Sequence, residues 1–164
     1  MAELWSYSPE QVSILVAGVI PVEGVIEDTF VEVRKVSPAF SSRQAADGSI
    51  ARVYNADTTY DISFTVMNSS PTNSTLTMLW QLDAMSRRGK FPLLIRDGSG
   101  SSMFFSTSTW IEEIPALTYS ADMTVRTWVL KSANGVINIG GNDQGSGLLE
   151  GLVGLGLGAV AGFL

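Results

Sequence analysis

The sequence contains no cysteine and no histidine. The first absence excludes disulfide frameworks, thiolate zinc sites and thiol chemistry. The second removes the commonest general base and the commonest metal ligand, so no Ser-His-Asp or Cys-His nucleophile system can be built from this chain. Charge is sparse, at 16% of 164 residues against a typical quarter. Positive charge is scarcer still: 10 Lys and Arg stand against 16 Asp and Glu, a net charge of −6. Proteins that grip nucleic acid take most of their affinity from neutralising phosphates, so this composition excludes that class. It does suit a surface along which a polyanion must slide without sticking. Long hydrophobic runs are lacking too. The longest uncharged apolar stretch, Gly151 to Leu164, has 14 residues, short of the roughly 20 a membrane helix requires. The N-terminus carries acids and no basic segment, so no signal peptide and no membrane span are expected.

What is present points to strands. Hydrophobic residues make up 45% of the chain, and 16 Gly accompany abundant Ser, Thr and Val. A chain of this length buries roughly two-thirds of its unfolded surface as one domain. Residues 11–20 read as a strand ended by Pro21. Residues 25–36 read as a second, with Val31, Val33 and Lys35 on one face and Phe30, Glu32 and Arg34 on the other. Ser37-Pro38 ends it, because proline has no N–H for the ladder. Residues 37–50 form a long polar loop around an Asp47-Gly48 turn, of a length often given over to contacts. Residues 51–67 alternate, with Ile62, Phe64 and Val66 against Asp61, Ser63 and Thr65, as in a half-buried antiparallel strand.

A helix is expected over 71–88, capped by Ser70 with Pro71 in its first turn. Leu76, Leu79, Leu82 and Met85, with Trp80, supply its apolar stripe. Arg87 and Arg88 complement its dipole and Gly89 ends it. Further strands follow over 91–96, 102–114, 122–131 and 136–139. The patterned domain spans residues 1–142. Residues 143–164 form a Gly/Leu-rich apolar tail expected to order only against a protein partner: a neighbouring subunit or a surrounding sheath.

No constellation carries chemistry. Glu27-Asp28 and Glu112-Glu113 are neighbours along strands and point to opposite faces. Asp97-Gly-Ser-Gly100 is a turn with one acid, too few for a calcium loop. Gly154-Leu-Gly156-Leu-Gly158 lacks the strand and helix of a dinucleotide site. Lys35, Lys90 and Lys131 have no strained serine turn beside them. The expectation is a non-enzyme without catalytic, cofactor or metal sites.

The order of elements resembles the tail tube proteins of contractile-tailed bacteriophages. The stretches that carry the resemblance are Ile26-Glu-Asp-Thr-Phe-Val-Glu-Val33, Ala46-Asp-Gly-Ser-Ile-Ala-Arg52 and Thr58-Thr-Tyr-Asp-Ile-Ser-Phe-Thr-Val66. Ser69-Ser-Pro-Thr-Asn-Ser-Thr-Leu76, Phe91-Pro-Leu-Leu-Ile-Arg-Asp-Gly98, Thr124-Val-Arg-Thr-Trp-Val-Leu130 and Gly140-Gly-Asn142 complete it. The resemblance implies a mainly β fold, an antiparallel sandwich or small barrel with one flanking helix. It implies hexameric rings stacked into a hollow tube inside a contractile sheath, a virion tail location and assembly in the host cytoplasm. Its partners would be other copies, the sheath, the baseplate and tail terminator proteins, with DNA passing through the lumen unbound.

On this reading the loop residues Ser41, Ser42, Arg43, Gln44, Asp47 and Gly48 reach the next ring. Asp57, Asp61, Ser63 and Thr65 are candidates to face the lumen, with Glu27, Asp28 and Glu32 as rivals. Two other classes are weighed beside it. One is the inner tube of a related secretion or bacteriocin-like injection device. The other is a carbohydrate-binding β-sandwich, which would need an exposed platform among Trp5, Trp80, Trp110 and Trp128.

Overall fold

The computed structural model describes residues 5–142. The 143–164 tail, and with it the boundary near residue 142, lies outside the described residues. A 3-10 turn, Pro9–Gln11, leads into ten strands and one helix: β1 Val12–Val16, β2 Ile20–Pro21, β3 Val31–Lys35, β4 Phe40–Gln44, β5 Ile50–Tyr54, β6 Tyr60–Met67, α1 Thr72–Ser86, β7 Phe91–Asp97, β8 Met103–Glu113, β9 Val125–Ser132 and β10 Gly135–Asn138. Among the described residues eight strands form one antiparallel sheet in the order β2-β1-β7-β8-β9-β6-β3, with β10 also on β8, and β4 and β5 pair only with each other. The expected mainly β fold with one flanking helix is the fold observed.

Register explains the shape. β9 and β10 lie end to end along the same edge of β8, Ser132 opposite Thr109 and Gly135 opposite Ser106. The ladder shifts between Phe91 and Leu93 and between Ile111 and Glu113. Such irregularities sharpen the twist and bend of a sheet. The sheet curls until Val33, at one end of the strand path, borders the same groove as Val12 and Ile95 from the other half. The core lies inside this curl. Ile62, Phe64 and Val66 of β6 meet Ile14 and Val16 of β1, Leu93 of β7 and Leu130 of β9, all buried. Burying each such side chain contributes about 1.5–3 kcal/mol. Gly135 is required here by space, because a Cβ would run into the rings of Tyr60 and Phe104.

Several boundaries differ from the expected ones. The 11–20 strand folds over at Ala17 and Gly18, both at positive φ, and returns as β2. The 25–36 strand contracts to β3, with Val25 making a lone bridge to Val66. The 37–50 loop is not a loop: it holds β4 and the start of β5. The 51–67 strand breaks over 55–59, where Asn55 and Asp57 oxygens accept N–H groups two residues ahead. Such local acceptors compete with the ladder.

The helix ends differently as well. Ser70 Oγ accepts the Thr72 N–H at 3.2 Å, and Pro71 already has helical dihedrals. The termination falls on Arg87, which takes the left-handed conformation at φ 58° and donates its N–H to the Asp83 carbonyl. Gly89 is held for another reason: its N–H donates to Asp83 Oδ1, and a Cβ would collide with that side chain. Of the expected stripe, Leu76 is buried and Leu79 and Trp80 are half-buried, whereas Leu82 and Met85 are exposed. Only the first half of α1 is docked on the sheet.

Candidate functional site: a projecting hairpin and a polar wall

The hairpin is the first feature. β3 and β6 pair from Val31 opposite Phe64 to Lys35 opposite Tyr60, and the Val36 N–H continues to the Thr59 carbonyl. After Ser37-Pro38 the same two chain segments pair again as β4 and β5, from Phe40 opposite Tyr54 to Gln44 opposite Ile50. They form a single long ribbon, interrupted where proline removes a donor. At its tip the Gly48 N–H returns to the Ala45 carbonyl with Gly48 at φ +88°, a turn that favours glycine. Asp47 Oδ1 accepts the Ser49 N–H at 2.9 Å and the Ser49 hydroxyl at 2.6 Å. These bonds hold the Asp47 carboxyl below its usual range, the Ser49 hydroxyl contributing most.

Every residue of β4 and β5 is exposed on both faces. An isolated two-stranded ribbon is marginal in water. This one carries Phe40, Ile50, Val53 and Tyr54 into solvent, with Ile50 71% and Tyr54 66% exposed. Phe40 and Tyr54 are in contact across the ladder at 5.3 Å, and the Arg52 guanidinium lies 4.1 Å from the Phe40 ring centre. The expected contact residues Ser41, Ser42, Arg43 and Gln44 lie on the strand β4, and only Asp47 and Gly48 lie in the turn. The aromatic pair and Arg52 escaped the sequence reading. The signal was there, in apolar residues on both sides of Asp47-Gly48, but serine-rich spacing masked the alternation.

The second feature is the water-facing side of β3, β6, β9 and β8. Arg34, Asp61, Lys131 and Trp110 stand side by side in one cross-strand row, and Glu32, Ser63, Val129 and Glu113 in the next. Lys131 and Asp61 form an ion pair at 3.7 Å, an exposed contact of small energetic weight. Thr65 and Thr127 hydroxyls meet at 3.0 Å in the row beyond. A shallow groove of about 380 Å³ runs over this wall, lined by Glu32, Arg34, Asp61, Glu112, Glu113 and Lys131 among others.

Of the expected lumen residues, Asp61, Ser63 and Thr65 therefore share a face, and the rival Glu32 joins them. Asp57 does not. It lies in the connection before β6, its carboxylate held by the Thr59 hydroxyl and N–H, which keep it below its usual range. Glu27 and Asp28 sit exposed ahead of β3, off the sheet. Among the described residues no group of three or more acids or other metal-ligating side chains converges. Nor is there a tryptophan platform: Trp128 is buried, Trp80 and Trp110 are half-buried, and Trp5 alone is well exposed.

A curled antiparallel sheet with one flanking helix is a fold shared with parts of contractile injection machines. The chain aligns with the sheath/tube terminator of an extracellular contractile injection system with a TM-score of 0.61, at 12% identity, over 84% of this chain and 100% of that one. A chain of the sheath-tube complex of such a system aligns with a TM-score of 0.54, at 10% identity, over 81% and 91%. No protein-family model matches. The particular family is set by sequence. Structural protein ORF10 of Pseudomonas phage KPP10 is 34% identical over 146 residues, covering 85% of this chain and 84% of the relative. The chain belongs to that family of bacteriophage structural proteins.

Proposed function

We propose that this protein is a subunit of the inner tail tube of a contractile phage tail, a structural and non-catalytic role. Subunits close into hexameric rings, rings stack into a hollow tube inside a sheath, and the genome passes through the lumen. The observation that carries the reading is the projecting β4-β5 hairpin. It exposes an aromatic-aliphatic surface that a free monomer has no reason to hold in water. In a stack of rings each hairpin lies on the neighbouring ring, which buries that surface. Among the described residues the terminal strands of the sheet have an unpaired edge, an aggregation hazard that ring closure removes. The polar wall supplies a hydrated lining that does not hold phosphates.

Deleting residues 41–48 tests this. Because residues 41–44 belong to β4, the deletion removes the ribbon's share of the strand signal in circular dichroism. The protein is expected to keep a single cooperative thermal transition and to form no tubes by electron microscopy, and normal tubes would refute the role of the hairpin. A second reading is that the chain caps a tail as a terminator, favoured by the higher TM-score with the terminator fold. Purified protein that forms single rings and never tubes would select it.

A further inference from the structure

Helix α1 has apolar residues on two sides. Asn73, Leu76 and Trp80 turn toward the sheet and its buried core. Met78, Leu82 and Met85 recur at the i, i+4, i+7 spacing of a second stripe, about half a turn around the axis from the docked set. All three are exposed, Met85 to 84%. A helix that is apolar on both sides is ordinarily covered on both.

The second stripe runs into positive charge. Arg87, Arg88 and Lys90 follow it, all exposed. The turn that carries them is fixed, because Arg87 takes the left-handed conformation and the Gly89 N–H is bound to Asp83 Oδ1 at 2.9 Å. Beside the other end of α1 the sign reverses. Glu23, Glu27 and Asp28 are exposed there, with Val25 among them. This segment is anchored too. Thr72 Oγ1, in the first turn of α1, accepts the Glu23 N–H at 2.8 Å, and the Ser70 hydroxyl donates to the Glu23 carbonyl. The Met67 N–H donates to the Gly24 carbonyl at 2.8 Å.

Fifteen residues of helix hold the two charged groups about 22 Å apart, beyond the reach of a side-chain pair within the chain. Among the described residues the one ion pair is Lys131 with Asp61, so none of these six charges has an ion-pair partner there. The two surfaces are complementary, and two copies can bring them together. A two-fold, antiparallel pairing of α1 helices fits poorly, because it would lay Met85 near Thr77, which is polar and exposed.

We propose that the Met78-Leu82-Met85 stripe, with Arg88 and Lys90 at its rim, docks on the Glu23–Asp28 segment of a second copy. The two surfaces differ, so the contact is heterologous. Each bound pair keeps one free surface of each kind and can add further copies, into a closed ring or a filament. The inference rests on the self-assembly in the tail-tube reading, and not on the tube, the lumen or the hairpin.

Charge reversal tests it on the full chain. One protein carries Glu27→Lys and Asp28→Lys, the other Arg88→Glu and Lys90→Glu. Sedimentation velocity should show parental assemblies larger than dimers, and an assembled fraction at least tenfold smaller for each variant alone. An equimolar mixture should recover at least half the parental fraction, because each reversed surface meets its complement on the other protein. A parent that stays monomeric or stops at dimers, variants that assemble like it, or a mixture that does not recover would overturn the assignment. Leu82→Ser, at an exposed position, guards against a misfolded charge variant: it should lower the assembled fraction at least tenfold, and parental assembly would equally overturn the contact. Parental tubes that ignore every substitution would remove this contact and leave the tail-tube reading standing. Rescued assemblies that never form tubes would do the reverse.

Discussion

The indole N–H of Trp128 donates to Asn73 Oδ1 at 2.9 Å, joining β9 to the first turn of α1 across 55 residues of sequence. The same Asn73 side chain turns its amide N–H groups on the carbonyls of Met67, Asn68 and Ser70. One buried amide thus ties the end of β6, the helix start and the core tryptophan. Asn73→Ala strands the buried Trp128 N–H and several carbonyls, which should cost about 2–3 kcal/mol. Trp128→Phe should cost less when Asn73 is already alanine. Urea unfolding of the double-mutant cycle measures the coupling; strict additivity would contradict the contact.

The two ends of α1 should respond differently to substitution. Leu76→Ala opens a cavity in the core and is expected to cost about 2–5 kcal/mol. Leu82→Ala and Met85→Ala remove exposed side chains and should change stability by about 0.5 kcal/mol or less. Thermal unfolding of the three variants separates a docked first half from an undocked second half.

In the hairpin, Tyr54→Ser removes one ring of the aromatic pair and Ile50→Asp places charge on the exposed ribbon. Neither touches the core, so the folded monomer should unfold within about 0.5 kcal/mol of the parent. Tube yield, counted by electron microscopy, should fall at least tenfold. Tubes at parental yield would mean that the ribbon surface is not an assembly contact.

If the polar wall faces the lumen, Ser63→Lys should slow genome ejection while tubes still form. Asp61→Lys should do the same, with an added cost from three cations in the row of Arg34 and Lys131. Because the Debye length is about 10 Å at 0.1 M salt, the effect should shrink as ionic strength rises. Ejection rates that are parental at low salt would exclude this wall as the lining.

Acid should loosen the hairpin turn. Ser49 bonds to the ionised Asp47 carboxylate and lowers its pKa in the folded state. A lowered carboxyl supports the fold above its unfolded value, near 3.9, and that support is lost as pH falls through the lower folded value. The same holds for Asp57 and Thr59. Carbon-detected NMR titration should place both midpoints below that of an ordinary exposed aspartate. Asp47→Asn should abolish the acid-induced change at the turn.

Sequence alone determined what depends on neighbours along the chain. The absence of cysteine and histidine closed off whole classes of chemistry. The alternation in β6 and the residues around Ser70-Pro71 placed a strand and a helix start where the structure has them. These are local signals: the side-chain period of a strand, and a proline that cannot donate. Tertiary structure decided the rest. Whether Leu82 and Met85 are buried depends on how far the sheet extends under α1. Serine-rich β4 is a strand because β5 lies opposite it, and Asp57 leaves the wall because Thr59 captures its carboxylate. The wall of Arg34, Asp61 and Lys131 and the groove bordered by Val12, Val33 and Ile95 arise from strands distant in sequence. No local pattern encodes them, since pairing partners and curl follow from burying a common core.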